Sequence, residues 1–284
     1  EGAFISAAKG EIAEAVGEGT AICAMTGGLD SGVSAVLAHR AIGDRLHCLF
    51  VDSGLLRQGE ADRFMEYYSA TLGLRITRIN AVERFATALA GLSDTDDKRV
   101  AISMTMQAVL DEASAGMDYN VIIRGTSAND ILRRQDTVAS PSLLQGKRMV
   151  QPLRELFKEE IRHVGEALGM LPEVYSAQPF PGSGLALRII GEATPERLAM
   201  LREADAILRE EIRQAGLHKR LWKYFAFMYH FPQDNDPEAV VIGLRAVSAS
   251  SASGGMRALP ARLPYDLLER CVERIMTGCP YVFK

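Results

Sequence analysis

Short apolar runs alternate with helical spacings over the first half of the chain. Strand-like runs of branched and aromatic residues occupy residues 20–25, 46–51, 75–79 and 121–123. Apolar positions at helical spacing occupy residues 4–16, 33–38, 60–72 and 98–113. Right-handed crossovers place such helices on both faces of one sheet. The pattern therefore predicts an α/β fold with a doubly wound parallel sheet.

The pattern changes after residue 145. Residues 153–168 predict an amphipathic helix, a Pro/Gly-rich link follows at 178–184, and a long helix and a β-rich run occupy 195–215 and 239–247. An aromatic run from Trp222 to Phe231 favours a core strand or an interface over a base-stacking surface, and the Ser/Ala/Gly stretch 248–255 favours a flexible loop. We expect a second, smaller α+β domain, with boundaries at 1–177 and 178–284.

Composition and charge narrow the class of protein. The chain has 284 residues, 48% of them hydrophobic, and 32 basic against 36 acidic side chains give a net charge of −4. This balance predicts no general attraction to nucleic acid or to an anionic membrane. Apolar stretches fall short of the roughly 18 residues of a membrane span, and no signal segment is apparent, so a cytoplasmic location is expected. Four cysteines without metal-ligand spacing predict reduced thiols.

A glycine-rich turn follows the first predicted strand. Two glycines, two hydroxyls, a carboxylate and the start of a helix are the features of an anion-binding turn, and here they are Thr26, Gly27, Gly28, Leu29, Asp30 and Ser31. The turn has no lysine and no three-glycine spacing, which separates it from the Walker and dinucleotide-binding loops. We predict a phosphate-binding turn; an ordinary strand-to-helix turn is the alternative.

Segments after two other predicted strands belong to the same sheet edge. Asp52 follows the second strand, and Gly125, Thr126 and Asp130 follow the fourth, where an amide, a hydroxyl and a carboxylate suit a nucleotide. Asp30 would organise a metal ion or phosphates, or else cap the following helix. Asp52 would meet a ribose hydroxyl or start a turn.

Basic residues near these segments are candidate phosphate ligands. Arg57 lies on the rim after the second strand, where a solvated surface arginine is the alternative. Four further cations form a sequence cluster that would bind pyrophosphate or a substrate phosphate, with a solvated helix face as the alternative: Lys147, Arg148, Arg154 and Lys158. The five histidines show neither triad nor metal-ligand spacing.

Six segments together give a resemblance to a known family. They are 25–31 (MTGGLDS), 39–44 (HRAIGD), 50–57 (FVDSGLLR), 152–158 (PLRELFK), 179–186 (PFPGSGLA) and 263–268 (LPYDLL). With them the chain resembles the ATP-pyrophosphatase part of GMP synthetase over most of its length. The resemblance implies an adenine nucleotide alpha-hydrolase-like fold with a dimerisation domain. It also implies that ATP and Mg²⁺ adenylate xanthosine monophosphate (XMP), and that ammonia then displaces AMP to give GMP.

The residue pattern and the resemblance together assign roles to residues of this chain. The first turn would hold the ATP phosphates with Gly125 and Thr126, while Val51 and Asp52 would flank the nucleoside. Asp30 and Lys158 would be catalytic, and Asp30 and Asp130 would hold the metal. Arg57, Arg154 and Arg188 would bind the substrate. The chain would form a homodimer, and ammonia would come from solution or from a separate glutamine amidotransferase subunit or domain.

Several positions depart from the family pattern. Gly32 stands where a second serine is usual, residues 101–104 lack two charges, and the lid stretch 133–146 is short and has no histidine. These departures keep two alternatives open. One is a diverged pyrophosphatase that acts on another acceptor, and the other is a catalytically silent ATP-binding paralogue.

Overall fold

The computed structural model describes residues 1–132, 146–178, 180, 182–233, 238–250, 257–279 and 282. The chain divides into two compact units. The first comprises Glu1–Gly54, Gly59–Val82 and Ser103–Ala177, and the second comprises Leu55–Gln58, Glu83–Ile102 and Gln178–Lys284. The predicted boundary at residue 177 stays a prediction.

A parallel sheet of five strands forms the centre of the first unit. Its strands are β1 (Ala21–Met25), β2 (Leu46–Asp52), β3 (Ile76–Asn80), β4 (Val121–Ile123) and β5 (Arg148–Val150), in the order β3-β2-β1-β4-β5. β1 is central, and its Cys23 pairs with Cys48 of β2 on one side and Ile123 of β4 on the other. Both cysteines are fully buried, as a strand covered on both faces requires.

Helices alternate with the parallel strands along the chain. They are α1 (Gly2–Val16), α2 (Leu29–Ile42), α3 (Glu60–Met65), α4 (Val82–Leu89), α5 (Thr95–Ser114), α6 (Ala128–Leu132), α7 (Lys158–Ala167) and α8 (Pro172–Tyr175). A π-helical turn, Glu66–Thr71, continues α3. The strand order places the carboxyl ends of β1 and β4 side by side, so the segments that follow them meet at one sheet edge.

The second unit contains a smaller mixed sheet. Its strands are β6 (Ile189–Ile190), β7 (Lys223–His230), β8 (Val240–Ser250) and β9 (Arg257–Pro260), of which β6 and β7 are parallel and the other pairs antiparallel. Two helices accompany it, α9 (Pro195–Gln214) and α10 (Tyr265–Gly278). Along β7, Tyr224, Ala226 and Met228 are buried while the residues between them are more exposed, which is the alternation of a strand covered on one face.

The structure confirms most predicted elements and corrects three. The short strand β5 is absent from the sequence prediction, because three residues carry too little pattern to identify it. The helix predicted over 153–168 begins only at Lys158, because the chain turns between Leu153 and Leu156. The loop predicted over 248–255 is wrong at its start, since β8 continues to Ser250. Residues 133–145, 179, 181 and 251–256, which include most of the lid stretch, lie outside the described residues.

The structure can be compared with the sequence-based expectations for the cysteines and for membrane-spanning helices. All four cysteines are buried free thiols, as predicted. Among the described residues, no helix combines the length and apolar character needed to cross a membrane.

Candidate functional site

The turn between β1 and α2 has the backbone of an anion-binding loop. Gly27 has a φ of +83°, a conformation that side chains disfavour, and Gly28 is the N-cap of α2 in extended conformation. The Ser31 hydroxyl accepts a hydrogen bond from the Thr26 amide at 3.3 Å and donates one to the Gly28 carbonyl at 3.0 Å. Ser31 therefore fixes the turn from inside, and the first N–H groups of α2 have no acceptors within the helix itself.

Gly125, at the end of β4, closes this turn from the neighbouring strand. A Cβ atom at Gly125 would stand 2.5 Å from the Ser31 nitrogen and 2.6 Å from the Asp30 carbonyl carbon. Only glycine allows the two main chains to approach so closely. The predicted convergence of the segments after the first and fourth strands is thus present in the structure.

Asp30 is the buried charge of the site. It is 9% exposed, lies in the first turn of α2 and forms an ion pair with Lys158 at the start of α7. The N-cap of α2 is Gly28, so the alternative capping role of Asp30 is wrong. Its Oδ1 atom is buried and has no hydrogen-bond partner among the described residues. Burial raises the pKa of Asp30, the Lys158 ammonium opposes that shift, and the charge of Asp130 adds to it.

Asp130 and Thr126, in the segment that follows β4, are both held by hydrogen bonds. One oxygen of Asp130 accepts hydrogen bonds from the Ser127 amide at 2.9 Å and the Ser127 hydroxyl at 2.6 Å. The Thr126 hydroxyl accepts one from the Gln151 amide group at 2.9 Å. Sequence reasoning missed Gln151, because it follows β5 whereas its partner Thr126 follows β4, and only the pairing of these two strands brings them together. These bonds hold the segment beside the first turn.

The protein groups at this edge would bind a magnesium ion only together with the phosphates of a nucleotide. In the part of the chain that the structure describes, no three His, Cys, Asp or Glu side chains gather as a metal cluster. Mg²⁺ is usually held by one or two carboxylates together with substrate phosphates. The unpartnered oxygen of Asp30, with Asp130 close enough to perturb it, meets that description.

Asp52 is already engaged by the protein. Its Oδ1 accepts a hydrogen bond from the Gly54 amide at 3.2 Å, and its Oδ2 lies 2.6 Å from an Arg78 Nη atom. Of the two roles that the sequence left open for Asp52, the structure shows the turn-starting one, through the bond from the Gly54 amide. Val51, before it, is 3% exposed, so it would meet a nucleoside chiefly through its main chain.

The basic sequence cluster is divided by strand β5. Lys147 precedes the strand and donates a hydrogen bond to the Tyr119 carbonyl at 2.6 Å, at the edge where β4 begins. Arg148 is the first residue of β5, whereas Arg154 and Lys158 follow its carboxyl end. The prediction of one cluster is wrong for Lys147 and Arg148, because a strand carries its two ends to opposite edges of the sheet.

The second unit brings together Arg57 and Arg188 around a buried carboxylate. Asp205 is 1% exposed; its Oδ1 accepts hydrogen bonds from Arg188 and from the Ala226 amide, both at 3.0 Å. The Arg57 Nε atom lies 3.5 Å from Asp205 Oδ2. The Leu185 amide donates to the Leu55 carbonyl at 2.8 Å, which fixes the short segment carrying Arg57 beside the one carrying Arg188.

Aromatic rings and further cations surround this pair of arginines. The Phe180 ring lies 4.2 Å from the Arg57 guanidinium and 5.0 Å from that of Arg188. The Phe225 ring is approached by Arg188 at 4.4 Å, Lys223 at 5.3 Å and Arg245 at 5.9 Å. Burial lowers the pKa of Lys223, and the charges of Arg188, Arg245 and Arg57 lower it further.

Sequence reasoning missed Asp205, Lys223 and Arg245 at this cationic group. Asp205 lies within a long helix among other charged residues, where a solvated face is the usual interpretation. Lys223 and Arg245 are 22 residues apart and meet only because β7 and β8 pair antiparallel. The alternation of the aromatic run was the available signal that one face of β7 presents Lys223 and Phe225 together.

Known proteins include close relatives of most of this chain. It is 40% identical over 92% of its length to the GMP synthase [glutamine-hydrolyzing] of Parafrankia sp.. The corresponding values are 39% over 96% for that of Caldicellulosiruptor saccharolyticus, and 38% over 98% for that of Limosilactobacillus reuteri. The chain spans only 53–56% of the length of these relatives. The resemblance indicated by the six segments is therefore confirmed, and no family model matches the chain.

Solved structures confirm the predicted fold class. An NH3-dependent NAD synthetase from Campylobacter jejuni superimposes with a TM-score of 0.51 at 14% identity, covering 76% of this chain and 84% of that one. An NMN synthetase from Francisella tularensis superimposes with a TM-score of 0.52 at 18% identity, covering 70% and 80%. At such identities the likeness concerns the fold alone.

Proposed function

We propose that this chain carries out the synthetase reaction of a GMP synthase, in which ATP activates XMP and ammonia aminates it. The observation that carries the proposal is the turn from Thr26 to Ser31, closed by Gly125 and flanked by the Asp30–Lys158 ion pair. The names of the relatives, which match over nearly the whole chain, support XMP as the acceptor.

The proposed reaction forms no covalent bond between the protein and its substrates. The 2-oxygen of the xanthine ring attacks the α-phosphorus of ATP, and pyrophosphate leaves. Ammonia then adds to C2 of the adenylated ring, loses protons to solvent, and AMP departs with the former 2-oxygen. Catalysis in such a reaction rests on positioning and on stabilising the charge that develops on the phosphates.

Main-chain amides of the turn would bind the triphosphate. Gly27 and Gly28 allow close approach, and the N-terminus of α2 adds its partial positive charge. Lys158 is half-exposed beside Asp30, so its ammonium can turn from the carboxylate to the leaving pyrophosphate. Asp30 and Asp130 would hold Mg²⁺, which when bound neutralises phosphate charge and favours departure of pyrophosphate.

The cationic group of the second unit would bind XMP. The Arg57 and Arg188 guanidinium groups both contact the Phe180 ring, and Asp205 keeps them oriented. Such a group suits a planar, anionic purine nucleotide. Exposed Arg154, after β5, stays a predicted substrate ligand.

Ammonia would come from solution or from a glutamine amidotransferase domain or subunit. The relatives are named as glutamine-hydrolysing enzymes, while all four cysteines of this chain are buried and none is a ready nucleophile. The homodimer and the cytoplasmic location stay predictions.

A reconstituted reaction tests the proposal. The chain is incubated with ATP, Mg²⁺, XMP and ammonium, and pyrophosphate, AMP and GMP are measured. Inosine monophosphate replaces XMP in a control, since it has no 2-oxygen to adenylate. We expect equal amounts of pyrophosphate and GMP with XMP and neither product in the control. Pyrophosphate release that does not depend on XMP would indicate another acceptor, and ATP binding without release would indicate a silent paralogue.

A further inference from the structure

Tyr68 fills the space that Gly32 leaves at the first turn of α2. A Cβ atom at Gly32 would stand 2.0 Å from the Tyr68 hydroxyl oxygen and 2.8 Å from the ring carbon that carries it. No side chain at residue 32 is compatible with Tyr68 in this position. The absence of a hydroxyl at Gly32 is therefore accompanied by a hydroxyl from another element.

The Tyr68 ring is held in place by its neighbours. It lies in the π-helical turn Glu66–Thr71, a feature often found at functional sites. Its centroid is 4.5 Å from that of Phe64 and 4.9 Å from that of Tyr67, and the residue is 3% exposed. A ring packed in this way has one available orientation, so its hydroxyl is preorganised toward α2.

The hydroxyls of the two neighbouring tyrosines have different surroundings. That of Tyr67 accepts a bond from the Leu171 amide at 3.0 Å, whereas that of Tyr68 lies against Gly32. The Tyr68 hydroxyl is not among the fully buried side-chain atoms that lack a hydrogen-bond partner, although the residue as a whole is 3% exposed. Phenylalanine would pack its ring against Phe64 and Tyr67 in the same way, so ring packing alone gives the hydroxyl no role.

The position of the hydroxyl relates it to the phosphate-binding turn. Cα–Cβ bonds in a helix tilt toward its N-terminus, so the place of a Gly32 side chain lies on the side of the turn. Gly32 donates to the Gly28 carbonyl at 3.2 Å and is one helical turn from it. The buried, unpartnered Oδ1 of Asp30 lies in the same first turn.

We propose that the Tyr68 hydroxyl donates a hydrogen bond to the phosphate chain of the nucleotide bound at the turn, in the space that Gly32 leaves open. This assignment rests on the proposed function only in taking ATP as the ligand of the turn. It makes Gly32 and Tyr68 a matched pair. It also explains why glycine stands at position 32, where the family usually has a serine.

The experiment compares two neighbouring tyrosines by removing only their hydroxyls. ATP and adenosine binding are measured by calorimetry for the wild type, Tyr68→Phe and Tyr67→Phe, together with thermal unfolding. A hydrogen bond to a charged group predicts an ATP affinity at least about tenfold weaker in Tyr68→Phe. Adenosine, which has no phosphate, should bind the wild type and Tyr68→Phe alike. Tyr67→Phe should lose thermal stability and keep its ATP affinity.

A second variant approaches the pair from the other side. Gly32→Ala places a methyl group against the Tyr68 hydroxyl and should weaken ATP binding as well. Unchanged ATP affinity in Tyr68→Phe, or an equal loss for adenosine, would overturn the proposal. The result is separate from the proposed function, since a wild type that binds ATP but forms no GMP still permits the comparison. A wild type that binds no ATP would overturn both.

Discussion

Gly125 and Ser31, 94 positions apart, are in main-chain contact: a methyl group on Gly125 would stand 2.5 Å from the Ser31 nitrogen. The contact joins the end of β4 to the first turn of α2. It exists because β4 is the direct neighbour of β1 in the sheet. Two strand ends that are distant in sequence thereby form one binding edge.

Gly125→Ala should weaken nucleotide binding by moving this edge apart. The atoms that the new methyl group meets belong to the main chain, which cannot turn away as a long side chain can. We expect a loss of about 1–3 kcal/mol in the free energy of unfolding and a marked loss of ATP affinity. Thermal unfolding and calorimetry measure the two effects. Gly10→Ala, in the open middle of α1, is the matched control and should be neutral or stabilising.

Asp30→Asn and Lys158→Met should separate catalysis from stability. Both should lower kcat/KM for pyrophosphate release by about two to three orders of magnitude, because each removes a charge that acts on the phosphates. Asp30→Asn should keep or gain stability, since a neutral amide is less costly to bury than a carboxylate. Lys158→Met should lose stability, because it leaves the buried carboxylate without its cation.

Lys147→Met is the control for this pair of variants. It also removes a lysine charge, but from the opposite edge of the sheet, near Tyr119. Its pyrophosphate release should equal that of the wild type. A large loss of activity in this variant would contradict the separation of Lys147 from the phosphate-binding edge.

Asp205→Asn should weaken the binding of the acceptor XMP and leave ATP binding intact. The variant keeps an oxygen for the Ala226 amide but leaves Arg57 and Arg188 without their shared countercharge. The two guanidinium groups should then repel each other and lose their orientation toward XMP. Steady-state kinetics should give a raised KM for XMP. If only stability falls and the KM for XMP is unchanged, Asp205 has a structural role alone.

Lys98→Met should destabilise the second unit. Lys98 is fully buried, and its ammonium donates to the carbonyls of Ile189 at 2.7 Å and Gly191 at 2.6 Å. Methionine keeps the length of the side chain but leaves those carbonyls without a donor. We expect the free energy of unfolding in urea to fall by about 2–3 kcal/mol. Unaltered stability would show that the carbonyls find other donors.

Glu211→Gln should make the free energy of unfolding less dependent on pH at acid pH. Hydrogen bonds from Arg270, then from Arg274, lower the pKa of Glu211 below its ordinary value of 4.5. The folded protein therefore binds the proton less tightly than the unfolded chain. Stability from this carboxylate is present above pH 4.5 and is lost as the pH falls through the folded-state pKa. Urea unfolding between neutral and acid pH should show a smaller decline in the variant than in the wild type.

The local backbone of this protein follows from its sequence. The apolar runs specified β1, β2 and β4 within a residue or two, because a strand buried on both faces must be apolar throughout. Two glycines followed by a carboxylate and a hydroxyl specified the turn at the end of β1. The six segments indicated the resemblance to GMP synthetase, since each is contiguous and can be recognised without knowledge of the fold.

Which distant side chains meet depends on the tertiary structure. Lys158 pairs with Asp30 across 128 positions, Gly125 meets Ser31, and Tyr68 faces Gly32. None of these pairs follows from local spacing, because strand order and the path of each connection set them. The same strand geometry carries Lys147 away from Lys158, although the sequence pattern groups the two. Local periodicity determines backbone conformation, whereas the pairing of charges and the fit of a glycine depend on long-range packing.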